Sequence, residues 1–226
     1  MTKESCAYIF DYGGTLDTGG RHWGKVLWRA YQDVGVPVSE QAFREAYVHA
    51  ERQLAMSRLI LPVDTFRHTL DVKLRLELEQ LGCMAWHGQL LDVLYEQTQR
   101  HTAASAIVLR RLKADSALAL VTNFYGNIHT VLREFGLDGL FSPVIESAAV
   151  GIRKPDPRLF SMALEALGLA PAEVTVVGDS IAKDILPAKS LGCQTVWLRG
   201  EQWSDEPVDQ AIPDRIIERI EELIGS

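Results

Sequence analysis

The chain has 226 residues, 47% of them hydrophobic and 23% charged, with a formal net charge of −7. That length suits one domain carrying a sizeable insertion, and the composition is that of a folded globular protein rather than a disordered one. The acidic balance, with no dense run of Lys or Arg, argues against a nucleic-acid partner, so any bound anion must be met by cations gathered locally. Cys6, Cys83 and Cys193 are odd in number and lack metal-ligand spacing, which points to a reducing compartment without disulfides or zinc. Lys3 and Glu4 precede an apolar run too short for a signal peptide, and no stretch is long enough to span a bilayer. A cytoplasmic location with no membrane partner is the expectation.

Residues 6–10 form a short apolar run of the kind buried on both faces of a parallel sheet. Asp11 follows at its carboxyl end, and Gly13 and Gly14 then permit a turn that a Cβ would forbid. Open α/β sheets place ligands at such strand ends. By themselves these residues read equally well as a strand followed by a polar turn or as a catalytic strand end, and the choice rests on what lies downstream. Residues 21–112 change to helical spacing. Trp23, Val26, Leu27, Ala30 and Tyr31 share a face, and Gly35 marks a stop. Ser39 caps a second helix carrying Phe43, Ala46, Tyr47, Ala50 and Leu54. Asp64 opens a third, with Phe66, Leu70, Leu74, Leu78 and Leu81 inward and Gly82 at its end, and a fourth spans residues 87–100. Joined by short loops, these read as an antiparallel bundle inserted after the first strand, able to act as a lid.

Strands and helices then alternate. Residues 117–121 form an apolar run ending in Thr122 and Asn123, followed by a helix over 128–135 and a stop at Gly136. A short edge strand at 143–145, a helix over 157–167 and a buried strand over 173–177 come next, the last ending in Gly178, Asp179 and Ser180. A helix over 185–191, a strand over 194–198 and a terminal amphipathic helix over 213–224 complete the chain. Alternation of this kind implies right-handed crossovers and an α/β fold, a doubly wound parallel sheet with helices on both faces.

Three strand ends thus carry Asp11, Thr122 with Asn123, and Asp179, while Lys154 adds a cation. Asp11, Asp179 and Asp184 are hard oxygen ligands of the kind Mg²⁺ prefers. Phosphoryl transfer needs such a cation, an in-line nucleophile and donors for the equatorial oxygens. Thr122 and the N–H groups opening the next helix are able to donate, and Lys154 balances charge. Each has an ordinary alternative as a cap, a turn or a solvated lysine; their coincidence at successive strand ends favours a site.

With those residues in view, the sequence resembles the haloacid dehalogenase (HAD) superfamily over essentially its whole length. Asp11-Tyr-Gly-Gly-Thr-Leu16, Thr122-Asn123, Lys154-Pro-Asp-Pro157 and Gly178-Asp-Ser-Ile-Ala-Lys-Asp184 resemble its four motifs in order. The resemblance implies a Rossmann-like core over 1–20 and 103–226 and an α-helical cap over 21–102. It implies Asp11 as the nucleophile that forms an aspartyl-phosphate, and Mg²⁺ held by Asp11, the Gly13 carbonyl and Asp179, with Asp184 in support. Thr122, Asn123 and Lys154 would bind the phosphoryl group, Lys154 also serving catalysis.

One position departs from that pattern. Phosphatases of the family carry a second Asp two residues after the nucleophile, as general acid and base; here it is Gly13. Glycine keeps the carbonyl but removes a group that contributes roughly 10²- to 10⁴-fold. Tyr12 sits one place too early to match the dehalogenase pattern. Asp17 and His22 are possible substitutes, although a turn residue and a hinge residue are their ordinary roles. In the cap, Arg21, Trp23, Trp28, His49, Arg52 and Arg58 are the residues to weigh for substrate contact, and Lys25 and Lys73 are its lysines. The six histidines have no metal spacing. The expectation is therefore a Mg²⁺-dependent hydrolase acting on a small phosphorylated metabolite, weak on ordinary monoesters, as a monomer or homodimer. The alternative is a metabolite-binding or regulatory module that keeps the fold without turnover.

Overall fold

In the computed structural model, which describes residues 7–204 and 209–225, the chain builds one six-stranded sheet in the order β3-β2-β1-β4-β5-β6. The strands are β1 (Ala7–Phe10), β2 (Ala117–Thr122), β3 (Val144–Glu146), β4 (Val174–Gly178), β5 (Gln194–Leu198) and β6 (Arg215–Ile217). Each neighbouring pair runs parallel. Cys6, which opens the apolar run read from sequence, lies outside the described residues; Cys83 and Cys193 are buried free thiols.

The helices are α1 (Trp23–Val34), α2 (Glu40–Met56), α3 (Phe66–Leu81), α4 (His87–Lys113), α5 (Ile128–Glu134), α6 (Ser147–Val150), α7 (Arg158–Leu167) and α8 (Leu186–Leu191). Side chains alternate across the sheet. Ile9, Val121 and Val176 pack with Leu159, Phe160 and Ala163 of α7 on one face. Phe10, Leu120 and Val177 join the other cluster, which reaches Val108 and Leu109 of α4 and continues into α1 to α3. Among the described residues no helix is long and apolar enough to cross a membrane.

Two elements differ from the sequence reading. The terminal segment read as a helix over 213–224 is instead strand β6 and a 3-10 turn, Ile220–Ile224, whose Ile220 and Leu223 are buried. Helix α4 runs on past residue 100 to Lys113, so the chain passes residue 102 in mid-helix rather than through a linker. Its amino-terminal half packs on α3 and its other half beneath β2, making one rod common to bundle and sheet.

The helical bundle is seated by polar contacts from the sheet side. Glu134 on α5 accepts from the N–H of Phe66 at 2.5 Å and, with Tyr95 donating at 2.9 Å, caps the start of α3. Asn127 donates to the Asp64 carbonyl at 2.9 Å, and Thr130 to the Pro62 carbonyl at 2.7 Å. On the far side Trp203 lies flush on Gly24 of α1, where an added Cβ would meet its ring at 2.1 Å. Gly24 is thus small because a ring occupies the space.

Inside the bundle Glu77 is fully buried, one carboxylate oxygen accepting from Tyr31 at 3.0 Å and the other unpaired among the described residues. Burial raises its pKa from 4.5 to about 7, against the opposing pull of Lys73. The folded state therefore holds this proton more tightly than the unfolded chain, and stability falls as pH rises from about 4.5 to 7. Glu77→Gln should remove that slope and stabilise the protein above pH 7 by on the order of 3 kcal/mol. Urea denaturation across pH 5 to 8 checks it, and an unchanged slope would mean that the carboxyl is already compensated.

Candidate active site

Strand order reverses direction between β1, which leads outward to β2 and β3, and β4, which leads to β5 and β6. Open α/β sheets leave a crevice at such a switch point, beyond the carboxyl ends of the strands. Asp11 follows β1 there and Asp179 follows β4. The strands hold them in register, since Phe10 pairs with Val177 and the Asp11 N–H donates to the Val177 carbonyl at 3.0 Å. Asp184 reaches the same point from the turn leading into α8. Oxygen atoms of Asp11, Asp179 and Asp184 all lie within 4.8 Å of one another, and all three residues are buried.

Three buried carboxylates this close repel one another unless compensated. Lys154, only 5% exposed, supplies the compensation. Its ammonium donates to Asp11 Oδ1 at 2.5 Å, Asp184 Oδ1 at 2.7 Å and the Val121 carbonyl at 3.1 Å, using its three hydrogens. Burial by itself would lower the lysine pKa, but Asp11 and Asp184 outweigh it and hold the group above its ordinary range. Burial pushes Asp11 up, with Lys154 opposing; it pushes Asp179 further up, with the charges of Asp11 and Asp184 adding.

Thr15 ties the two strand ends together. Its hydroxyl lies 3.1 Å from both Asp11 Oδ2 and Asp179 Oδ1, and accepts from the Asp179 N–H at 3.0 Å. The Asp179 carbonyl is in turn held by Trp197 Nε1 at 2.8 Å and by Gln202 at 3.2 Å. Gly14, at φ 99°, passes so close that a Cβ would lie 2.6 Å from the Asp179 carboxylate. Asn123 is spent on positioning: its amide donates to the Lys154 carbonyl at 3.1 Å and its oxygen accepts from the Lys154 N–H at 2.9 Å. Thr122 is fully buried at the end of β2, its hydroxyl without a partner among the described residues. The amides opening α5 are already taken, because Glu146 accepts from Gly126 at 2.6 Å and Ile128 at 3.4 Å while Ser147 accepts from Phe124 at 3.2 Å. Those three N–H groups, part of the helix start read from sequence as a donor set, are thus committed within the fold.

Asp11, Gly13, Asn123, Lys154, Asp179 and Asp184 line a cavity of about 150 Å³ between sheet and bundle. Of the bundle residues weighed from sequence, His22, Trp23 and Lys73 reach this cavity, whereas Arg52, Arg58 and His49 are exposed elsewhere and Trp28 packs on Phe43. Arg21 turns to His101 and does not line it. Asp17 does not line it either: one oxygen accepts from the Gly14 N–H at 2.7 Å and the other from Trp23 Nε1 at 2.9 Å, and burial raises its pKa to about 7. His22 does, but its Nδ1 accepts from the Gly24 N–H at 3.0 Å, and burial lowers its pKa to about 4, so it is neutral at pH 7. Sequence reasoning missed Thr15, Glu51 and Tyr125. Thr15 stands within the first motif, one helical turn beyond Asp11, whereas no local pattern distinguishes the other two.

Buried carboxylates at a switch point, balanced by one lysine beneath a helical bundle, mark this as an α/β protein with its candidate site at the carboxyl ends of a parallel sheet. The family model for haloacid dehalogenase-like hydrolases matches residues 7–192, and the chain belongs to that family. It is 29% identical over 221 residues to the phosphoglycolate phosphatase of Vibrio cholerae, which covers 95% of this chain and 93% of that protein. It is 37% identical over 130 residues to the phosphoserine phosphatase of Thermus thermophilus, covering 56% of this chain and about half (51%) of that one. The magnesium-bound HAD hydrolase YfnB of Bacillus subtilis shares the fold at a TM-score of 0.59 and 19% identity, over 98% and 97% of the two chains.

If Lys154 is what makes the carboxylate cluster tolerable, Lys154→Met should cost about 3–5 kcal/mol in metal-free buffer, the scale for breaking a buried pair. Chemical denaturation in the presence of a chelator measures this. A loss below about 1 kcal/mol would mean that the carboxylates are neutral without it.

Proposed function

We propose that the protein is a Mg²⁺-dependent phosphatase of small phosphorylated metabolites, with Asp11 as nucleophile. The observation that carries this reading is the Asp11 carboxylate itself, held at the floor of the cavity by Lys154 on one oxygen and Thr15 on the other. The phosphatases among its relatives support the reaction class. An Asp11 oxygen attacks phosphorus and the bond to the leaving oxygen breaks; water then attacks the phosphorus of the aspartyl-phosphate and releases phosphate with Asp11 restored. Lys154 opposes the burial that pushes the Asp11 pKa upward. Thr122, whose hydroxyl has no partner among the described residues, and Asn123, which fixes Lys154, serve the phosphoryl group.

The donor set suits a hard divalent cation, since only oxygens converge and one lysine leaves three carboxylates undercompensated. Asp11, Asp179 and the Gly13 carbonyl would hold Mg²⁺, with Asp184 in support. When bound, the ion supplies positive charge to the carboxylates and to the phosphoryl oxygens. Addition of Mg²⁺ at 100 times its dissociation constant should stabilise the fold by about 2.7 kcal/mol. Asp179→Asn should abolish that gain, which thermal denaturation with and without chelator reads directly.

Gly13 specifically favours the second reading, a metabolite-binding module without efficient turnover. It adopts no positive φ, and a Cβ added there would have only Trp23 Cδ1 near it, at 4.0 Å. An acid side chain therefore fits. Gly13→Asp should raise kcat on alkyl phosphates by roughly 10²- to 10⁴-fold, and Asp11→Asn should abolish turnover in both backgrounds. A Gly13→Asp protein that binds Mg²⁺ yet gains nothing would favour the binding role.

A further inference from the structure

The proton donors facing the cavity determine which leaving groups its chemistry can expel. Position 13 has no side chain. Lys154 spends its hydrogens on Asp11, Asp184 and Val121. Glu51 is ion-paired to Lys73 and accepts from the Tyr125 hydroxyl at 3.1 Å on both oxygens, which commits that hydroxyl as well. Burial works against ionising Glu51, but Lys73 and Tyr125 hold its pKa below the ordinary range. The Lys73 ammonium also lies 4.3 Å above the Tyr47 ring. His22 is neutral, and Arg153 and Lys183 stand exposed at the rim. Of the other carboxylates lining the cavity, Glu51 is ion-paired to Lys73, and Asp179 and Asp184 stand with Asp11 in the cluster around Lys154.

The walls have a matching character. Trp23, Tyr47 and Phe66 of the bundle and Phe124 and Tyr125 of the sheet-bearing core line the cavity together with Asp11, Glu51 and Lys73. An aromatic lining favours a flat guest, through area burial and ring stacking.

We propose that the substrate is the phosphate ester of a phenol, its ring held against this aromatic lining. The proposal rests on the hydrolase reading above. Asp11 forms its bond to phosphorus as the bond from phosphorus to the aryl oxygen breaks; the electron pair leaves with the phenolate, which takes its proton from bulk solvent. A phenol has a pKa of about 10, far below that of an alkanol. The phenolate therefore departs without the proton that position 13 has no side chain to supply.

The test compares phenyl phosphate with ethyl phosphate under Mg²⁺, with Asp11→Asn as the blank. The wild type should show kcat/KM at least ~10²-fold higher on phenyl phosphate, and Gly13→Asp should shrink that ratio by raising the rate on ethyl phosphate. Asp11-dependent turnover without the preference, or a preference that Gly13→Asp leaves intact, overturns the inference. Titration calorimetry on the Mg²⁺-loaded wild type tests the aromatic lining apart from chemistry: phenylphosphonate should bind at least ~10-fold tighter than methylphosphonate. Equal affinities overturn the role given to the aromatic lining. Absence of Asp11-dependent turnover on both esters overturns the hydrolase reading itself, and so is distinguishable from failure of the inference alone.

Discussion

The ammonium of Lys154 is the contact on which the rest of the site depends. Taking three carboxylates out of water is costly, and one lysine bridging two of them offsets only part of that cost. Its position is set twice over. The Val121 carbonyl accepts from its side chain, and Asn123 clamps its backbone through two hydrogen bonds, so β2 and the residues following it hold the cation against the acids of β1 and β4. Without that clamp the lysine would keep its charge but lose its register, and Asp11 would drift toward the protonated form that burial favours. A protonated carboxyl is a poor nucleophile and a poor metal ligand. Stability and chemistry therefore meet in one ion-pair network.

The sheet explains why this network is where it is. Reversal of strand order at β1 and β4 opens a crevice at their carboxyl ends, and both acids that flank it are the first residues beyond their strands. Thr15 and the approach of Gly14 then weld the two ends into one surface. The bundle closes over that surface without a separate hinge at α4, which continues unbroken beneath the sheet. What seats it are short polar contacts from α5 and the Trp203 ring beneath Gly24. Phe66, which lines the cavity, has its backbone N–H capped by Glu134, so the wall above the acids is positioned by the sheet-bearing side itself.

Much of this was legible in the chain because it is local. Apolar runs bounded by Asp, Thr or Gly mark β1, β2 and β4, and the residues that end them are the ones that converge. The misses have physical causes. Beyond Arg100 the inward face of α4 carries Thr102 and Ser105, which bury their hydroxyls by donating to the carbonyls of Thr98 and Leu16, and a hydrophobic period does not register them. Strand β6 is three residues long, and Ile216, Ile217, Ile220 and Leu223 fit a helical period as well as a strand followed by a turn. Glu51, Lys73 and Tyr125 come from three elements distant in sequence, so only tertiary packing reveals them as one cluster. Two of the N–H groups expected to be free after Thr122 are taken by Glu146, a side chain from β3 that no pattern around residue 122 announces.

Gly13 and Gly14 are adjacent, and the structure gives them different reasons to be glycine. Gly14 sits at a positive φ, and a Cβ there would run into the Asp179 carboxylate, so any side chain would displace a member of the cluster. Gly13 meets neither constraint. Its missing side chain is therefore not a requirement of the turn, and what it changes is the chemistry beside Asp11. The consequence falls on the leaving group rather than on the nucleophile, since Lys154 and Thr15 still orient the Asp11 carboxylate and the Gly13 carbonyl remains for a metal. On the proposed mechanism, a site whose position 13 offers no acid favours a substrate with an oxygen able to depart as an anion.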